Sequence, residues 1–346
     1  MKRTAHWIQE RPVVSFFLIT FAITWGLGFS YIAVIQKEAY YLAPLVSIAT
    51  CGPALAGIII TAVSNGQKLP KPSRNWSRWI VFLIALILCM VIAVLHNHYI
   101  NGAPLSPEIV ILFFFLLVPP VAFIVSAPYS RGTAVRAMIG SLLRLRGVAG
   151  WALLALIFVP GIALLSVIVS DLLGRQPASV ASGQAVGASL LGLVAIKFFY
   201  QFFFFNATGE ESGWSGFARP HLQARVSPLL TALIITLFWG PWHLFLWYAE
   251  GQSVFEAGYW LQTAVNLIPA SIIITWLYNR SKGSILVAGT AHAAANTVFA
   301  FLPNLDFELF TVTVTLVALL LVLGDRMWQK LPAPDPAVSV TPRLAI

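Results

Sequence analysis

Residues 206–222 read NATGEESGWSGFARPHL, from Asn206 to Leu222, and set two adjacent glutamates, Glu210 and Glu211, directly after the apolar run Phe202–Phe205. Only 10% of the residues in this chain are charged, so a carboxylate pair in such a place needs a physical reason. Two later segments supply candidate partners: Trp239–His243 (WGPWH) and His292–Asn296 (HAAAN) each bury a histidine in an otherwise apolar stretch. An ionisable group inside an apolar span is costly and marks a functional site by default. A lone membrane histidine is as often a bond to a neighbouring helix, worth ~0.6 kcal/mol, and adjacent glutamates at a span end are usually solvated. The conjunction of the three segments is what points to chemistry.

The totals fix the environment. With 346 residues, 59% of them hydrophobic, and a mean hydropathy of +0.84, the chain is too apolar for a soluble core and long enough for many membrane spans. A net charge of +9 invites a nucleic-acid partner, but the basic residues fall in short clusters between apolar runs, with no basic stripe, so they are better explained as topology signals. Cys51 and Cys89 both lie in apolar runs and suit small buried hydrophobes.

A span needs roughly 20 apolar residues, and ten stretches qualify or come close: 13–35, 41–63, 80–95, 109–127, 151–169, 185–205, 229–248, 259–278, 285–302 and 310–323. The fold expected is an all-α, polytopic transmembrane helix bundle of about ten spans (eight to ten), the third and tenth stretches being short. With the N-terminus cytoplasmic, every Lys and Arg outside the spans except Lys37 and Arg175 falls on the cytoplasmic side, and Lys197 lies within a span. That bias predicts an even span count with both termini cytoplasmic. Residues 1–180 form N-terminal helices with basic loops, 181–326 a transmembrane core carrying the candidate site, and 327–346, with Pro332, Pro334 and Pro336, a disordered tail. In the loop 129–150, Val135, Met138, Ile139, Leu142 and Leu143 share one helical face, suiting a helix on the headgroups or an extension of the fifth span.

His292 and Asn296, four apart, stack on one helix face with only alanines between, which lets another group approach closely. Glutamate as a general base needs a tuned surrounding and a water within reach, and histidine can orient both. An asparagine amide can donate to an oxyanion. Depth imposes a condition. If the sixth span ended at Phe205, Glu210 would lie at its cytoplasmic end while His292, seven residues into its own span, would sit ~10 Å deep. The groups meet only if Lys197 snorkels toward the outer interface and the helix continues through Glu210 to about Arg219.

The run EESGWSGFARPHL resembles the EExxxR motif of the CAAX protease and bacteriocin-processing (CPBP, or Abi) family of intramembrane endopeptidases, often written EELGWRGF; Trp239–His243 resembles its FxxxH motif and His292–Asn296 its HxxxN motif. The order and spacing fit over about residues 197–300. The resemblance implies hydrolysis of a peptide bond at the membrane with cytoplasmic access: Glu210 as the base activating water with His243, His292 and Asn296 lining the oxyanion position, and Glu211 as a supporting acid. Adjacent helical residues point about 100° apart, so only one glutamate can face His243. Ser215 stands where the family has arginine and Trp239 where it has phenylalanine. Arg219, one turn past Ser215, is positioned to restore the missing charge.

Three alternatives stand beside a metal-independent glutamate protease. Glu210, His243 and His292 could ligate a catalytic zinc, although no HExxH is present and asparagine is an unusual ligand. Buried Glu and His also serve proton-coupled transporters, which predict paired broken helices in two halves; no internal repeat is visible. A non-catalytic bacteriocin-immunity or scaffold protein on the same fold is the third. The partners expected are membrane lipids and a membrane-associated or prenylated peptide, and the compact loops without a eukaryotic retention signal at 343–346 suit a bacterial inner membrane.

Overall fold

The structure, a computed structural model, describes residues 2–35, 44–65, 76–175, 189–302 and 305–332. They form thirteen helices and, among the described residues, no strand. In chain order these are α1 (Lys2–Glu10), α2 (Pro12–Ile35), α3 (Pro44–Thr50), α4 (Gly52–Ser64), α5 (Trp76–Tyr99), α6 (Pro107–Tyr129), α7 (Thr133–Ile139), α8 (Ala149–Leu172), α9 (Leu190–Gln223), α10 (Pro228–Ala249), α11 (Ala257–Arg280), α12 (Ile285–Phe301) and α13 (Phe307–Gly324). Eight are long and apolar enough to cross a membrane, and two shorter apolar helices, Gly52–Ser64 and Ile285–Phe301, make up the rest of the ten apolar stretches. The chain is a multi-pass, all-helical membrane protein.

Helix starts are written locally. Ser106, Ser189, Ser227, Ser284 and Asp306 each accept a hydrogen bond from the backbone N–H three residues on, and Pro107 and Pro228 follow two of these caps. Several expected boundaries move. The third stretch runs a full 24 residues, Trp76–Tyr99, because the polar His96 and Asn97 are buried within the bundle instead of ending the helix. The second is split by Cys51, with only Gly52–Ser64 as a sizeable helix. Both cysteines are free and buried.

The largest change is in the sixth stretch, whose described helix spans Leu190–Gln223, the expected start near Ala185 lying outside the described residues. It passes from α-helix through π-helical turns at Phe202–Glu211 and Trp214–Ala218. Apolar composition ends at Phe205, but the helix continues because Asn206, Glu210, Glu211, Ser212, Ser215 and Arg219 beyond it find partners inside the bundle. Each π-turn lets in an extra residue per turn, a feature frequent at functional sites.

The segment 129–150 also departs from both expectations. Helix α7 covers only Thr133–Ile139, and the fifth span starts separately at Ala149. Its apolar face turns into the protein, where Val135, Ile139 and Leu142 join a core with Ile58, Ile124, Ala207 and Ile285. Protein surface was available to cover those side chains, so headgroups are not needed. Ser141 then ties the segment down, accepting from the Ile285 N–H (3.0 Å) and donating to the Gly283 carbonyl (3.2 Å). The fourteen residues 333–346 of the expected tail lie outside the described residues; at its start, Met327 is buried and its carbonyl accepts from Leu229 N–H at 2.9 Å.

Helix α9 is the hub. Phe16, Phe17 and Ile60 of the N-terminal helices pack with its Trp214 and Phe217 and with Trp239 of α10. Backbones approach closely around it. A Cβ added at Gly213 would lie 2.3 Å from the Pro53 carbonyl carbon of α4, and one at Gly289 of α12 would lie 2.3 Å from the Ala207 Cβ. Alanine at either position therefore forces α4 or α12 away from the hub. The expected cost is about 1–3 kcal/mol, the range for overpacking, read as a lowered midpoint of thermal unfolding in detergent. Unchanged midpoints for both Gly213→Ala and Gly289→Ala contradict this packing.

Candidate active site

The π-turns of α9 present the two glutamates to different surroundings. Glu210 faces a cavity of about 570 Å³ lined also by Asn206, Trp239, His243, His292 and Asn296. Glu211 is absent from that lining and turns toward Ser215 and Arg219 on the following turns of its own helix. One carboxylate thus meets the cavity and the other is packed behind it, as the angle between neighbouring helical residues requires.

Glu210, 3% exposed, accepts from the Trp239 indole N–H (Nε1 to Oε2, 2.7 Å) and from the Asn206 amide (Nδ2 to Oε1, 3.2 Å). The Asn206 carbonyl in turn accepts from the Asn296 amide at 3.3 Å. A relay of two asparagines therefore links α12 to the carboxylate. A buried carboxylate needs such donors to be tolerated at all, and its bonds on both oxygens fix its orientation.

Glu211, 2% exposed, is held by Arg219, 1% exposed, at 3.3 Å and by a hydrogen bond from Ser215. Arg219 also bonds the Ser215 hydroxyl, donates from Nε to Thr275 Oγ1 at 3.1 Å and lies over the Tyr278 ring at 5.4 Å. The guanidinium one turn beyond Ser215 reaches the carboxylate of the motif, with Ser215 filling the space between them.

The histidines are fixed by their Nδ1 atoms. His292 Nδ1 is 3.3 Å from Glu211 Oε1, and His243 Nδ1 is 2.8 Å from the Trp239 carbonyl. A carboxylate and a carbonyl only accept, so both rings carry their proton on Nδ1 and leave Nε2 free. His243 sits at the break between two helical segments of α10, beside Pro241, and stacks on Trp247 at 4.6 Å and 8°. Trp239 meets His292 edge-on at 5.1 Å. Trp242, which packs on His243 at 4.7 Å, is anchored by its N–H to Thr24 Oγ1 at 2.8 Å.

All eight singled-out residues thus lie in two linked clusters, with two differences from expectation. His243 shares the cavity with Glu210 but makes no hydrogen bond to it; the donors to that carboxylate are Trp239 and Asn206. His292, expected beside the oxyanion position, is also the partner of Glu211. Sequence reasoning missed Asn206, Thr275, Tyr278 and Trp247. Asn206 had a signal, since it lies four residues before Glu210; Thr275 and Tyr278 come from another helix and had none. Lys197, expected to snorkel toward the outer interface, also lines the cavity. Among the described residues, no three His, Cys, Asp or Glu side chains are grouped to hold a metal ion, Glu210, His243 and His292 included.

Comparisons with known proteins point the same way. Residues 192–298 match the family model described as type II CAAX prenyl endopeptidase, Rce1-like. The chain is similar to a CAAX prenyl protease 2 of Methanococcus maripaludis, with 31% identity over 135 residues, covering 35% of this chain and 47% of that protein. The chain spans about half the length of the curated relative it matches.

Proposed function

We propose that this chain is an intramembrane endopeptidase that hydrolyses a peptide bond near the prenylated end of a membrane-associated substrate. The observation that carries this is Glu210: a carboxylate oriented by two donors, facing a cavity inside a membrane bundle rather than packed into its wall. In the proposed reaction a water in that cavity is deprotonated by Glu210 as it attacks the scissile carbonyl. His243 Nε2 is free to accept from that water and position it, the Asn296 amide offers a donor to the oxyanion, and the His292 ring offers a second one when Nε2 is protonated as well as Nδ1. The Glu211–Arg219–Ser215 cluster carries no step; it holds His292 through Nδ1. The aromatic lining, with Trp239, Trp242 and Trp247, offers an apolar surface for an isoprenoid chain.

The proposed mechanism needs no metal. The test is cleavage of a farnesylated C-a-a-X peptide by protein purified in detergent, with mass spectrometry of the products, before and after exhaustive chelation. The expected result is product formation with an unchanged rate after chelation. Activity lost on chelation and restored by Zn²⁺ overturns the metal-free mechanism; no cleavage of prenylated peptides overturns the substrate class.

A further inference from the structure

A second cavity, of about 480 Å³, lies between the start of α10 and the ends of α11 and α13. It shares no lining residue with the cavity of Glu210, and Arg280 lies six residues, about 9 Å, beyond Ile274, the last α11 residue of that first cavity. Its charges do not cancel. Asp325 is the single acid of the lining and is already engaged: Oδ2 accepts from Arg280 Nε (2.6 Å) and from the Trp276 indole N–H (2.6 Å), and Oδ1 accepts from a second Arg280 nitrogen. Arg326 and Lys330 line the same cavity, are exposed, and make no ion pair among the described residues.

Cations past a helix C-terminus offset the macrodipole, and basic loops set topology, but neither role requires the backbone that carries Arg326. Helix α13 ends in a Schellman turn: the Met327 N–H bonds the Val322 carbonyl (3.0 Å) and the Arg326 N–H bonds the Leu323 carbonyl (3.4 Å). That turn sets Arg326 in the left-handed region, at φ 48°, where glycine is the usual residue and a Cβ is crowded. The nearby Gly324 belongs to the helix. A dipole or a topology signal is served by a cation at any neighbouring position, whereas the cavity needs one here. The Met327 carbonyl, bonded to the Leu229 N–H, ties the turn to α10 and fixes it beside the cavity. Leu323, Trp328 and Leu331, in and after the same turn, are exposed apolar side chains. Such side chains suit headgroup depth, where tryptophan is favoured.

We infer that this cavity binds the phosphate of an anionic phospholipid headgroup, with Arg326 and Lys330 as its charged donors. A guanidinium matches two phosphate oxygens at once and an ammonium adds a point charge. Basic pockets between the ends of membrane helices suit such headgroups, and the volume falls in the range of small-ligand sites. The charge bias of the loops predicts this face to be the cytoplasmic one. The inference is independent of the hydrolase reading, since no residue of the glutamate and histidine clusters takes part.

The experiment titrates the detergent-purified protein with dioleoylphosphatidylglycerol, dioleoylphosphatidylcholine or inorganic phosphate and follows the unfolding midpoint. Wild type, Arg326→Gly, Lys330→Gln and Arg144→Gln are compared, Arg144 being an exposed arginine outside the cavity. With phosphatidylglycerol the wild-type midpoint is expected to rise by roughly 5 °C at a hundredfold excess over half-saturation, with little response to the other two. Arg326→Gly is expected to match or exceed the wild-type midpoint without lipid, because glycine suits the left-handed turn. Its half-saturating mole fraction of phosphatidylglycerol is expected to rise about 10- to 100-fold, the size of one charge-assisted hydrogen bond. Lys330→Gln is expected to weaken binding in the same direction and Arg144→Gln to leave it unchanged. A rise as large with inorganic phosphate overturns the lipid as occupant. An equal response to phosphatidylcholine, an Arg326→Gly protein that binds like wild type, or an Arg144→Gln protein weakened as much, overturns the site.

Discussion

Glu210→Gln is expected to lower the rate of peptide cleavage by about 10³-fold or more while leaving the protein folded. A positioned general base contributes about 10²–10⁴-fold, and the amide that replaces it has almost the same shape but no basic lone pair of comparable strength. The structural cost is small and can be located. The glutamine carbonyl still accepts from Trp239, whereas its NH₂ would face the Asn206 amide, so one hydrogen bond of about 1 kcal/mol is lost. The measurement pairs initial cleavage rates with thermal unfolding in detergent. A Glu210→Gln protein that keeps more than a tenth of the wild-type rate would remove Glu210 from the base position, and Glu211, buried behind it, has no access to the cavity to take its place.

The three segments that carry the site are legible in the sequence because each violates the cheapest rule of a membrane chain, that ionisable groups stay out of apolar runs. Which residues pair is less legible. The depth of His292 requires the helix to pass beyond Phe205 to about Arg219, and α9 does so. It could not specify the π-turns, since side-chain periodicity in a stretch buried on every side reports neither 3.6 nor a wider turn. Packing between α9 and α10 decides that Trp239 and Asn206, not His243, bond Glu210. The second and ninth apolar stretches show a related limit: hydropathy finds Gly52–Ser64 and Ile285–Phe301, but only packing shows them as short inner helices pressed onto the hub. In the loop 129–150 the amphipathic pattern says that a face will be covered but not by what, and the cover is protein.

Arg219→Met is expected to destabilise the protein by about 3–5 kcal/mol, the cost of leaving one member of a buried ion pair uncompensated, and to lower the unfolding midpoint by roughly 10 °C. Glu211 and Arg219 are only 2% and 1% exposed, so no water can replace the lost guanidinium. Arg219→Lys is expected to recover little, because an ammonium offers no planar fork to serve Thr275 and Glu211 together. Removing both charges separates the pair from the fold. In Glu211→Leu/Arg219→Met both charges are replaced by apolar side chains of similar size, and most of the stability is expected to return. Activity is not expected to follow, because His292 loses the acceptor that fixes its Nδ1 proton and leaves Nε2 facing the cavity. A double variant that regains stability and full cleavage would show that this cluster only neutralises itself, and the orientation of His292 would need another cause.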